Sequence, residues 1–89
     1  MSKLKLVSNE IDMPISAGLS TTFSNAGAVR LVNTNSGPQT VTVLETQNGE
    51  EIGSFTMVGN SVETLYKSRE NAVYASSADI KGAQVGFVG

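Results

Sequence analysis

Residues Gln39–Val58 read QTVTVLETQNGEEIGSFTMV, and this stretch decides the fold class. It consists of two runs either side of Gln47-Asn48-Gly49-Glu50. In the first run, Gln39 to Thr46, Val41 and Val43 alternate with Thr40 and Thr42; the second runs from Glu51 to Val58. A period of two is that of a strand with one buried face. Asn-Gly at the tip is the strongest short-range hairpin signal, because both residues accept positive φ. The stretch predicts a β-hairpin.

The chain on either side carries the same pattern. Ala28 to Thr34 sets Val29 and Leu31 against Arg30 and Val32, and Asn35-Ser36-Gly37-Pro38 closes it with consecutive turn formers. Beyond Val58, Gly59-Asn60 is the expected tip of a second hairpin, with Val62, Thr64 and Tyr66 alternating with Glu63, Leu65 and Lys67. Ser68 to Asn71 reads as a polar loop, Ala72 to Ala75 as a short strand, Ser76 to Lys81 as a turn or a single helical turn, and Ala83 to Val88 as the last strand. At the other end, Lys3 to Val7 alternates around Leu4 and Leu6, Asp12-Met13-Pro14 interrupts any ladder, and Ser20 to Phe23 is a short β candidate.

Composition agrees. Ser, Thr and Asn supply 26 of the 89 residues and Val ten, and no segment shows the 3.6-residue period of an amphipathic helix. Strand signals spaced by about 8–12 residues indicate an all-β domain: an antiparallel β-sandwich or small β-barrel of seven or eight short strands, jelly-roll or Ig-like. We read residues 1–89 as one domain. Residues 1–7 form either an ordinary first strand or an N-terminal arm laid on another chain.

The same arithmetic excludes most chemistry. The chain has no Cys and no His, which removes disulfides, thiolate and imidazole metal sites, Cys nucleophiles and a histidine base. A net charge of -2, with six scattered Lys and Arg, argues against nucleic-acid binding. No run approaches the roughly 20 apolar residues of a membrane span, and Met1 to Glu10 lacks the core of a secretion signal. The expected setting is a cytoplasm or a particle assembled there.

The remaining candidates read more simply as structure. Glu50-Glu51 is the one adjacent acidic pair, but neighbouring strand residues point to opposite faces, so a solvated turn is expected. Asp12 and Asp79 lie among turn residues. A Ser-Lys arrangement could be nominated at Lys67-Ser68 or at Ser76-Ser77 with Lys81, although these residue types also fit turns. Neither GxxxxGKS nor GxGxxG occurs. Phe55 and Phe87 are expected in the core, with Tyr66 and Tyr74 at a rim.

Three stretches, Gly53–Lys67 (GSFTMVGNSVETLYK), Asn71–Lys81 (NAVYASSADIK) and Ala83–Phe87 (AQVGF), carry a family likeness, as does Phe23–Asn33 (FSNAGAVRLVN) before them. Together they resemble the small β-rich virion-associated proteins of tailed bacteriophages, notably those infecting marine cyanobacteria. The resemblance spans roughly residues 20 to 88 and contains no catalytic motif. It implies a non-enzymatic structural protein, a capsid decoration or cement protein binding the major capsid protein lattice and copies of itself, with a homotrimer as the expected assembly. It implies no cofactor, metal, nucleic acid, membrane or small-molecule substrate, and a place on the virion capsid surface after assembly in the host cytoplasm. The alternatives are a tail, connector or fibre-associated module, or a small host-surface or carbohydrate-binding β domain using Tyr66, Tyr74 and the Ser68–Asn71 loop. The expected partner interface comprises Lys3, Leu4, Leu6 and Val7 of the first segment, together with Tyr66, Arg69, Glu70 and Tyr74.

Overall fold

The structure is a computed structural model that describes residues 3–6 and 9–88, with side chains described for 9–85. Eight strands form: β1 (Lys3–Leu6), β2 (Ile11–Asp12), β3 (Ala28–Asn33), β4 (Gln39–Leu44), β5 (Glu51–Met57), β6 (Val62–Tyr66), β7 (Ala72–Ala75) and β8 (Ile80–Val88). A single 3-10 turn, Ala17–Leu19, lies between β2 and β3. One sheet runs β1-β8-β3-β6, with β2 also on β8, and the other runs β5-β4-β7. All pairings are antiparallel. The two sheets stay open and form a sandwich, so the barrel alternative does not hold.

The alternation read from the sequence places the core. Val29 and Leu31 of β3 and Ile80 of β8 face Val41 of β4, Met57 of β5 and Val73 and Ala75 of β7, with Met13 and Phe23 closing one side. Phe55 and Leu65 are partly buried against this cluster. The Phe87 side chain lies outside the described residues.

The β4–β5 hairpin forms, but its tip works differently from the expectation. Asn48 alone takes positive φ, at 59°, as the third residue of a turn closed by Gly49 N donating to Thr46 O at 2.9 Å. Gly49 is needed for space: a Cβ there would sit 2.6 Å from Thr46 Oγ1. Lower in the hairpin the register shifts between Val43 and Leu44, so that Ile52 is an extra residue on β5.

The second expected hairpin does not form, because β5 and β6 belong to different sheets. Val58 to Ser61 is a corner instead. Its turn is closed by the Ser61 backbone N–H and hydroxyl, both donating to Val58 O, and Asn60 takes φ 60°. Two contacts hold this corner against the β3–β4 turn. Asn60 N donates to Asn35 O at 3.1 Å, and Gly59 lies so close to Ser36 that a Cβ would be 2.1 Å from its carbonyl oxygen. Ser20 to Phe23 likewise contributes only one bridge, Thr21 to Val73, rather than a strand.

Asn33 ties these parts together. Its side chain is fully buried at the end of β3, and its amide nitrogen donates to Met57 O at 2.9 Å, Gly37 O at 3.1 Å and Val58 O at 3.2 Å. Its Oδ1 accepts from Asn35 N at 2.9 Å. One side chain thus joins the first sheet, the β3–β4 turn and the end of β5 in the second sheet.

This packing generates stability predictions at two residues, Asn33 and Gly82. Asn33→Leu keeps the branching of the side chain but takes this donor from Gly37 O and Met57 O and the acceptor from Asn35 N, while Val58 O keeps its bonds from Ser61, and it should lower unfolding free energy in urea by about 3 kcal/mol. Asn33→Asp should destabilise at neutral pH and recover part of the loss on acidification, since a protonated carboxyl can again donate to a carbonyl. At Gly82, a Cβ would stand 2.6 Å from Phe23 Cζ inside the packed core. Gly82→Ala should therefore cost about 1–3 kcal/mol, and pairing it with Phe23→Leu should cost less than the sum of the two changes.

Candidate interaction surface

Seven large apolar side chains are exposed among the described residues, and they fall into two groups along the chain. Ile11, Ile15 and Leu19 lie on the segment that crosses from β2 to the free side of β7. The second group is Ile52 (56% exposed), Val58 (65%), Val62 (52%) and Tyr66 (62%), carried by β5, the corner and β6. Each of these strands ends its sheet, and the four-residue corner joins them. The second group is therefore carried by the strands on the side of the sandwich where both sheets have an edge, with Val62 and Tyr66 on the outer face of the first sheet. Single exposed apolar residues are ordinary, but a set along two open edges marks a place where another chain can pack.

The opposite side is closed. Val73 and Thr21 exchange backbone hydrogen bonds at 2.9 and 3.1 Å, Ala75 N donates to Pro14 O at 2.9 Å, and Met13 N donates to Ile80 O at 2.9 Å. The segment after β2 thus crosses from β8 to β7 and occupies the outer edge of the second sheet.

The residues singled out from the sequence are dispersed over the molecule. Lys3, Leu4 and Leu6 lie on β1, opposite Val88, Phe87 and Val85 of β8, so this segment is a first strand of its own sheet. Val7 lies outside the described residues. Arg69 and Glu70 are exposed in the β6–β7 loop. Tyr66 and Tyr74 do not share a patch. Leu65 packs on the core, so Tyr66 points out from the first sheet; Val73 and Ala75 are core, so Tyr74 points out from the second. Sequence reading missed Ile52, Val58 and Val62, because alternation alone does not reveal which strands are edges.

The nominated lysines do not bond to serine hydroxyls. Lys67 Nζ donates to four carbonyls: Ala26 O at 2.7 Å, Thr22 O at 3.0 Å, Arg69 O at 3.3 Å and Ser68 O at 3.4 Å. Burial lowers its pKa from 10.5, with Glu70 acting in the opposite sense. It fastens the β6–β7 loop to the turn before β3. Lys81 Nζ donates to Asp12 Oδ1 at 2.6 Å and to Ala78 O at 3.3 Å. The Asp12 hydrogen bond is the main reason its pKa rises. Asp79 Oδ2 accepts from Asn35 Nδ2, and Arg30 pairs with Glu10 at 3.2 Å.

A hollow of about 310 Å³ opens where β1 gives way to β2, lined by Asn9, Ile11, Thr21, Phe23, Ser24 and Gln84. Its wall includes a left-handed turn, with φ of 54°, 56° and 60° at Phe23, Ser24 and Asn25. This conformation is uncommon outside glycine and is held here by the Thr21 and Thr22 hydroxyls, which accept from Phe23 N and Asn25 N. The hollow offers neutral hydrogen-bonding groups and no ionisable one. Among the described residues, no group of three or more Asp, Glu, His or Cys is placed to hold a metal ion.

The carbonyl cage makes a prediction for Lys67. Lys67→Met leaves four carbonyls without this donor and should cost about 1–2 kcal/mol at neutral pH. Because the folded-state pKa lies below the unfolded one, the unfolded chain binds more protons in the window just below 10.5. This group alone therefore makes stability rise with pH there. Stability–pH profiles of the wild type and Lys67→Met should differ by that upward slope. Comparison of the chain with known protein families, curated proteins and solved structures finds no match in any of the three.

Proposed function

We propose that this protein is a non-enzymatic structural component of a bacteriophage virion, a decoration or cement protein that binds the major capsid protein lattice and copies of itself. The structural observation that supports the reading is the side on which β5 and β6 are both open edges, with Ile52, Val58, Val62 and Tyr66 exposed along them. The sequence likeness to small virion-associated proteins of tailed phages points the same way. A cement protein needs a rigid small body and a complementary rim, and it gains stability by mass action once bound. Here the closed side of the sandwich supplies rigidity, and the open side supplies surface for a partner. The exposed apolar side chains of that rim suit packing, and its unpaired strand edges suit strand addition.

The reading is tested by quantitative mass spectrometry of purified virions, scaled to the major capsid protein. A ratio near one copy per capsid subunit, or one small cluster per few subunits, is the expected result. A few copies per particle would assign the protein to the tail, connector or fibre, and absence from virions would overturn the proposal. If the open side meets the capsid, Ile52→Lys combined with Val58→Lys should weaken binding to protein-depleted capsids by at least about tenfold, since two desolvated apolar contacts are lost. Thermal stability should stay close to wild type, because both side chains are exposed.

A further inference from the structure

Among the described residues four strands, β1, β6, β5 and β7, end the two strand orders, and three of them are guarded. The outer edge of β7 is occupied by Pro14 and Thr21. β5 begins with Glu51 directly after Glu50 and is interrupted by the extra residue Ile52. β1 carries Lys3 and Lys5 in a four-residue strand that shares the margin of β8 with β2. Charges, bulges and covering segments are the usual means by which proteins protect a strand edge. β6, with the sequence VETLY, has no proline, glycine or bulge, and Glu63 is its one charge.

The hydrogen-bond phase of β6 is fixed by its neighbour. Asn33 N donates to Ser61 O at 2.9 Å and Lys67 N donates to Gly27 O at 3.0 Å, so the odd-numbered residues 61 to 67 bond to β3. Val62 and Thr64 consequently direct their backbone N–H and C=O groups to the open side. Their side chains and that of Tyr66 share the outer face, opposite Val32, Arg30 and Ala28 of β3.

We infer that β6 pairs with β6 of a second copy, antiparallel about a twofold axis at Thr64, so that two first sheets join into one continuous sheet. The strand is complementary to itself in this register. Thr64 stands opposite Thr64 of the second copy, and Val62 stands opposite its Tyr66 on both sides of the axis. Threonine pairs and aromatic–β-branched pairs are among the favourable cross-strand contacts. The two most exposed apolar residues of β6 cover one another, and Glu63 falls opposite Leu65 rather than opposite a second carboxylate. A foreign strand would have to supply this pattern, whereas a second copy already contains it. The contact is isologous and closes after two subunits. One five-residue strand pair buries less than the roughly 1,200 Å² of a stable interface, so the dimer is weak and depends on concentration. This inference stands whether or not the protein sits on a capsid.

Sedimentation equilibrium of the full chain over a wide concentration series tests it. The mass should rise from 9.3 kDa towards twice that value. Thr64→Pro removes a donor that faces the open side and leaves the ladder to β3 intact, so it should give a folded monomer by circular dichroism. If that variant fails to fold, Val62→Lys combined with Tyr66→Lys makes the same test without touching the backbone. The chain has no cysteine, so single replacements report the register directly. Thr64→Cys, at the axis, should form a disulfide-linked dimer at least about tenfold faster than Val62→Cys, which faces Tyr66 and not its own mate. A chain that remains monomeric at millimolar concentration overturns the inference. So does a dimer that survives the β6 variants, or equal cross-linking at positions 62 and 64.

Discussion

The buried amide of Asn33 is the constraint on which the arrangement of the two sheets depends. A sandwich core of Val, Leu, Ile, Met and Ala is held by forces without direction, which keep the sheets together but do not fix where one ends against the other. Asn33 adds direction. Its donors meet the carbonyls of Gly37, Met57 and Val58, and its oxygen takes the Asn35 N–H. Those groups lie where the chain leaves β3 for one sheet and leaves β5 for the other. Buried polar groups must find partners, and a site that satisfies so many at once admits few alternative packings.

The corner after β5 is a consequence of this clasp. Gly59 against Ser36, and Asn60 bonded to Asn35, turn the chain out of the second sheet at the point where a hairpin would have kept it there. β6 therefore joins the first sheet beside β3, and β5 and β6 become edges on a common side. The other side is sealed by the chain from Met13 to Thr21, which donates and accepts backbone bonds with β7 and β8. The asymmetry between a closed and an open side thus derives from two local features, one polar clasp and one crossing segment.

Much of this was legible in the sequence. The period-two runs gave the strands at Ala28, Gln39, Glu51, Val62 and Ala72 within a residue or two, and Asn48-Gly49 gave the β4–β5 hairpin. What was not legible was partnership between strands. Gly59-Asn60 offers the same turn chemistry to a hairpin and to a corner between sheets, because both need a small residue and a positive φ. The decision rests on Asn33, whose side chain looks in sequence like one more polar residue closing a strand. For the same reason the exposed set escaped notice. Val62 and Ile52 sit in alternating runs like any core valine or isoleucine, and only the sheet order reveals that they border solvent. Tyr66 and Tyr74 flank one loop in sequence, yet the chain changes sheet between them and turns them to opposite outer faces. Lys67, read as a strand residue beside a serine, is instead a fastening for four carbonyls.

The position of the clasp links stability to surface. Val58 stands at the corner, its carbonyl accepting from Asn33 on the inner side while its own side chain is exposed on the outer. Ser61, the last residue of the corner before β6, accepts the Asn33 backbone N–H at its carbonyl. Both open strands are therefore anchored at the corner to the same residue, and the spacing between their exposed side chains is set from inside the protein. An interior change at Asn33 would disturb the rim through the corner, whereas a surface change at Ile52 or Val62 would leave the interior as it is. That difference would separate the two roles experimentally: if the rim binds a partner as proposed, a change there alters association alone, and a change in the clasp alters association and unfolding together.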